Sequence, residues 1–164
     1  MHSSRVVSIV GVIAAVIGLL FTGANTDATE LLPTLNAADP AFPAEISTIW
    51  GGFDLWQQIV VVLLLLAVLV LALRPDRAKP MDKNSARGVG VAGALLVLIS
   101  VLAWIEGSDR ADTLAAGLAQ AAGAGLIPTA FDVTPSSGFF VLILGSVAAT
   151  VGGLFSLMQG GDSS

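Results

Sequence analysis

Residues 55–73, LWQQIVVVLLLLAVLVLAL, carry the strongest structural signal in the chain. The stretch carries no charge, is dominated by Leu and Val, and is too long and continuous for a buried strand. Its length falls within the roughly 17 to 25 apolar residues that a helix needs to cross a bilayer. Arg74 and Pro75 close it with a cation at the helix C-terminus followed by a breaker. Gln57 and Gln58 open it, and Glu106 closes the third apolar run, all at depths that interfacial water reaches.

Three more uncharged apolar runs occupy 6–22, 89–105 and 139–158. The first, with MHSSR before it and FTGANTDA after it, also has the outline of a secretory signal peptide; we read it as a retained anchor helix. Composition agrees with four spans. Hydrophobic residues make up 55% and charged residues 12%, against about 25% charged in soluble domains. So little charge leaves a soluble enzyme without a surface, and the basic footprint of a nucleic-acid-binding protein is missing. There is no cysteine or tyrosine and one histidine, His2, which excludes disulfides, thiolate chemistry and a buried histidine relay.

Charge orients the chain, because short cytoplasmic loops carry an excess of Lys and Arg. Arg5 precedes the first span, and Arg74, Arg77, Lys79, Lys83 and Arg87 form a basic linker at 74–88. With Asp76, Asp82 and Asp162 that side sums to +3; the other side sets nine carboxylates against Arg110, for −8, which together give the net −5. The expected architecture is an all-α membrane protein. It has four transmembrane helices in a single domain, both termini cytoplasmic, and outer loops at 23–54 and 106–138, each roughly 30 residues and so too short to fold alone.

In the first outer loop, Pro33, Pro40 and Pro43 break any long helix, so a short helical turn and an extended proline stretch are expected. Its apolar Leu31, Leu32, Leu35, Phe42 and Ile46 need cover from the bilayer surface, the other loop or a partner. In the second, 109–126 has Leu114, Leu118 and Ala121 or Ala122 at helical spacing. This predicts a separate interfacial or re-entrant helix, capped by Asp112 and ending near Pro128. Trp50, Trp56 and Trp104 fall at ends assigned to the outer interface, where Trp anchors, and Phe53, Phe139 and Phe140 extend that belt.

Helix association in lipid depends on small residues that let backbones approach. Gly145, Ala149 and Gly153 form the clearest ridge, beside Ala148 and Gly152; Gly90 with Ala94, Gly88 with Ala92, and Ala14 with Gly18 are shorter ones. Such ridges close the chain's own bundle or meet a partner. The second span has none and is expected to face lipid or a partner. Ser8, Ser100, Ser146 and Thr150 are expected to bond to carbonyls one turn earlier. No catalytic motif, nucleotide-binding loop, metal-ligand spacing or mid-span carboxylate occurs, so neither cofactor nor metal is expected, and an ion-coupled cycle lacks its titrating group.

WGGFDLW at 50–56, with four spans and inside termini, resembles the plan of claudin-like proteins, but the loop is short and that family's paired cysteines are absent. In size, topology and a composition of actinobacterial character, with two Lys against five Arg, abundant Ala and Gly and no cysteine, the chain looks like the small four-span accessory subunits of mycobacterial Mce-type lipid importers, the LucB-like proteins, and so is expected in a bacterial plasma membrane. That resemblance implies a non-catalytic subunit that stabilises or regulates a cell-envelope lipid transporter, with other integral-membrane subunits and lipids as partners and no nucleic acid. An autonomous small transporter or pore, or an accessory subunit of a respiratory supercomplex, are the competing expectations.

Overall fold

A computed structural model describes residues 1–74 and 78–159; Arg77, one of the linker cations, lies outside the described residues. The chain is mostly helical. In order it forms α1 (Ser3–Leu20), β1 (Ala24–Asn25), α2 (Leu32–Ala38), a 3-10 turn (Trp50–Gly52), α3 (Leu55–Ala72), α4 (Lys83–Gly123), β2 (Thr134–Pro135) and α5 (Gly138–Gln159). The helices α1, α3, α4 and α5 are long and apolar enough to cross a membrane. Their outward faces are large and apolar, as at Leu63, Val91 and Leu144, which are 60%, 63% and 67% exposed. Such surface is stable only against hydrocarbon or another apolar face.

The bundle is organised around α5, which packs antiparallel on α1 along one side and on α4 along the other. Two matching seams, small residues except for Leu142, make the α1–α5 contact. Ser4, Ser8, Gly11, Ala15 and Gly18 on α1 and Gly138, Leu142, Gly145, Ala149, Gly152 and Ser156 on α5 are all buried, with alternating spacings of three and four. At their centre a Cβ on Gly145 would stand 2.6 Å from the Gly11 carbonyl oxygen, and one on Gly11 would stand 2.6 Å from that of Gly145. The backbones are in contact, and only glycine fits. By contrast α3 is peripheral, with 22% of its apolar window buried against 44% for α1. Asp54 precedes it, its backbone N–H donating to Gln57 Oε1 over 2.8 Å.

The expected hydroxyl pattern is present and goes further. Ser8, Ser100, Ser146 and Thr150 donate to carbonyls one turn back, at 3.3, 2.7, 2.8 and 2.9 Å. The Ser100 and Ser146 oxygens also lie 3.1 Å apart across α4 and α5, so that either hydroxyl can turn from its own carbonyl to the other. Among the described residues no buried side-chain polar atom lacks a partner.

The third run corrects the expectation of a span followed by a separate helix. Lys83–Gly123 is one helix of 41 residues, about 60 Å long, of which 106–123 continue past the apolar segment. The charged stretch at 106–110 does not end it, because each group there is helix-compatible: Arg110 and Glu106 pair at i,i+4 over 3.6 Å, and Ser108 and Thr113 donate to carbonyls one turn back. Asp112 is therefore mid-helix and caps nothing. The helix ends at Gly123, and just beyond it Gly125 has φ +73° while the Leu126 and Gly125 N–H groups return to Ala121 and Ala122, a closing turn that favours glycine.

The two loops fold onto each other at one end of the bundle, here termed the loop end, opposite the linker end that carries 78–82. Residues 21–25 stitch them: Gly23 N–H bonds Ser47 O, Ile49 N–H bonds Phe21 O, and β1 pairs antiparallel with β2. A second apolar core forms there from Ala28, Leu35, Ala111, Leu118, Ala121, Ile127 and Val133, with Leu31, Phe42 and Leu114 beside it. Of the three covers open to the first loop's apolar residues, the other loop is the one taken by Leu31, Leu35 and Phe42.

Candidate functional site

A cleft of about 840 Å³ opens at the loop end between residues 39–53 and the stretch from Ala103 on α4 to Ala124 just past its end. That volume is within the roughly 300 to 1,000 Å³ of small-molecule sites. Each wall has a sequence cause. The prolines extend the first loop so that Phe42, Pro43 and Ile46 form one side, and the uninterrupted α4 supplies the other through Leu114 and small residues such as Gly117. Phe139 forms the floor, packed on Gly107, where any Cβ would strike its ring. Phe53 and Ile49 complete the apolar interior.

The rim is charged. Asp39, Glu45, Glu106 and Asp109 stand against Arg110, a net −3. Arg110 bridges the cleft: its Nη1 donates to Gly52 O over 2.9 Å while Nη2 approaches Glu106 to 3.6 Å. The guanidinium thus fastens the 3-10 turn to α4. Among the described residues no group of His, Cys, Asp and Glu is placed to hold a metal ion.

At the linker end the central feature is Arg5, which the sequence marks only as an orienting cation. It is 3% exposed, inside the first turns of α1. Its Nη1 donates to Ala72 O at 2.9 Å and Arg74 O at 3.2 Å, Nε to Lys79 O at 3.0 Å, and Nη2 to Pro80 O at 3.4 Å. One side chain so caps the last carbonyls of α3 and holds the linker beneath the bundle. Ser156 adds a second fastening, accepting from Met81 N–H at 2.7 Å and pairing with Ser4 at 3.1 Å. The signal for this was the polar Ser4, Arg5 and Ser8 at the head of the α1 seam.

The other described linker cations have separate surroundings. Arg74 Nη1 donates to Ser85 Oγ at 3.0 Å and lies 3.9 Å from Asp82, while Lys83 and Arg87 are exposed on the first turns of α4 and Lys79 is exposed in the linker. Asp82 caps α4 by accepting from Ser85 N–H at 3.2 Å. The Ser85 hydroxyl bond, the Ser85 N–H and the Arg74 and Arg5 charges hold its carboxyl below the ordinary 3.8, against the opposing effect of desolvation.

The small-residue ridges divide between partners. Gly145, Ala149 and Gly18 meet the α1–α5 seam, with Ala14 half-buried at its edge, whereas Gly153 faces α4, where its Cβ would stand 2.7 Å from Gly90 N. Ala94 is exposed and takes no part; Gly93, against Thr150, occupies that role. Gly152, read from sequence as lying beside the ridge, is a contact position against Ser8, and Gly11 and Gly138 are contact positions outside the ridges read from sequence. Trp50 packs edge-on against Phe53 with centroids 6.4 Å apart, Trp104 lies 6.1 Å from Phe140, and Trp56 is 61% exposed at the head of α3. All three sit at the loop end. Comparison with family models, curated proteins and solved structures finds no match for this chain.

Proposed function

We propose that this chain is a non-catalytic integral-membrane subunit that stabilises or regulates a larger cell-envelope assembly handling lipid, with its loop end outside the plasma membrane and both termini in the cytoplasm. The observation that carries this reading is the cleft, whose apolar floor at Ala103 and Phe139 lies level with the Trp104–Phe140 pair. An aromatic pair marks the depth where hydrocarbon gives way to headgroups, so the floor adjoins the acyl region of the outer leaflet. The bundle below supports an accessory rather than a transporting role: its hydroxyls are spent on its own carbonyls and on each other, and Arg5 is spent on the linker.

The test is reconstitution of the purified full chain in liposomes under proton, sodium and potassium gradients. An accessory subunit leaves solute and ion flux at the level of empty liposomes. Gradient-driven flux abolished by a substitution within α1, α3, α4 or α5 contradicts it and favours the autonomous transporter.

A further inference from the structure

We propose that the loop-end cleft holds an acyl chain of an outer-leaflet lipid whose head carries a cationic amine. The proposal rests on the outward placement of the loop end, and it adds what the cleft selects.

Shape comes first. The α4 wall runs from Ala103 to Ala121, about 27 Å of helix, whereas one leaflet contributes about 15 Å of the roughly 30 Å hydrocarbon core. The cleft is therefore long enough for a whole acyl chain along its axis. The lining that such a chain would meet is Phe42, Ile46, Phe53, Leu114, Leu126 and Phe139. Leu126 is 66% exposed on the polar side of the helix boundary, where an uncovered Leu has no bilayer to shield it.

Charge then selects the head. Arg110 is engaged by Glu106 and by Gly52 O, which leaves Asp39, Glu45 and Asp109 to set the potential at the mouth. A phosphate or carboxylate head without an amine meets three like charges there, and an ammonium meets three opposite ones. The tail is held by apolar burial and the head is chosen by the rim.

The experiment places the full chain in phosphatidylcholine nanodiscs with either of two photo-crosslinking probes of equal chain length, a diazirine-bearing hexadecylamine or the corresponding palmitic acid. Labelling at 39–53 and 103–124 is normalised to labelling of the outward face of α3 around Leu63. The amine probe is expected to mark the cleft several-fold more strongly than the acid. Ala116→Trp, at an exposed lining position, should reduce that labelling several-fold with unchanged thermal unfolding, and Glu45→Gln combined with Asp109→Asn should equalise the two probes. Equal labelling of the native cleft by both probes overturns the head selectivity and leaves the lipid reading standing. Failure of both to mark the cleft above the α3 background overturns the site itself.

Discussion

Arg5 and Ala72 are joined by a 2.9 Å hydrogen bond between a guanidinium in α1 and the last carbonyl of α3, 67 residues apart in sequence. The same side chain reaches Arg74, Lys79 and Pro80. A charge whose sequence position explains it by membrane orientation thus also organises the linker end.

Orientation and clasp are separable by Arg5→Lys. Lysine keeps the charge but replaces a planar fork by a single ammonium that cannot span four carbonyls. The variant is expected to insert with native orientation yet melt at lower temperature, with orphaned buried acceptors costing about 1–3 kcal/mol. Thermal unfolding in mild detergent measures this. A melting temperature equal to that of the native chain would show that the clasp contributes nothing.

The helices were legible where a single physical signal ran unopposed. The Leu and Val run of α3 admits no other reading, and the hydroxyls of Ser100 and Ser146 have one obvious use in hydrocarbon. The extension of α4 was hidden because Glu106, Asp109 and Arg110 signal the end of a span as strongly as they signal an i,i+4-paired helix, and only the absence of a breaker before Gly125 distinguishes the two. Ridge spacing identified Gly145 and Gly153 but not that they face different helices. The cleft was beyond reach, since its walls lie some 60 residues apart and are joined by tertiary contacts, the bond between Arg110 and Gly52 and the packing of Phe42 on the α4 side of the second core.

Seam positions are expected to respond by partner. Gly11→Leu and Gly145→Leu force side chains into facing backbone that has no rotamer to yield, and should each destabilise the bundle by at least about 1–3 kcal/mol. Ala94→Leu, on an exposed face, should change stability by less than about 0.5 kcal/mol. Accumulation in membranes and melting of the purified variants test the contrast, and equal effects at Gly11 and Ala94 would refute the seam.

Acid should loosen the start of α4. The folded state holds the Asp82 carboxyl below its ordinary 3.8, so its contribution is complete above that value and is lost as pH falls through the lower folded value. Hydrogen exchange at 83–88 should therefore rise below pH 3.8 in the native chain. Asp82→Asn should show no such step, and an identical rise in both would assign the effect elsewhere.

Sidedness follows from the cation distribution. Thr34→Cys and Asn84→Cys, each exposed and each placed in a cysteine-free chain, should react with an impermeant thiol reagent from opposite faces of the membrane, Thr34→Cys from outside. Labelling of both from one side would exclude the four-span arrangement.

The most direct measurement for the account as a whole is mass spectrometry of what accompanies the tagged full chain out of native membranes in mild detergent. An accessory subunit predicts integral-membrane partners in fixed stoichiometry, among them components that move lipid, retained when the detergent is exchanged. Recovery of the chain alone, or only as a homo-oligomer, would contradict it.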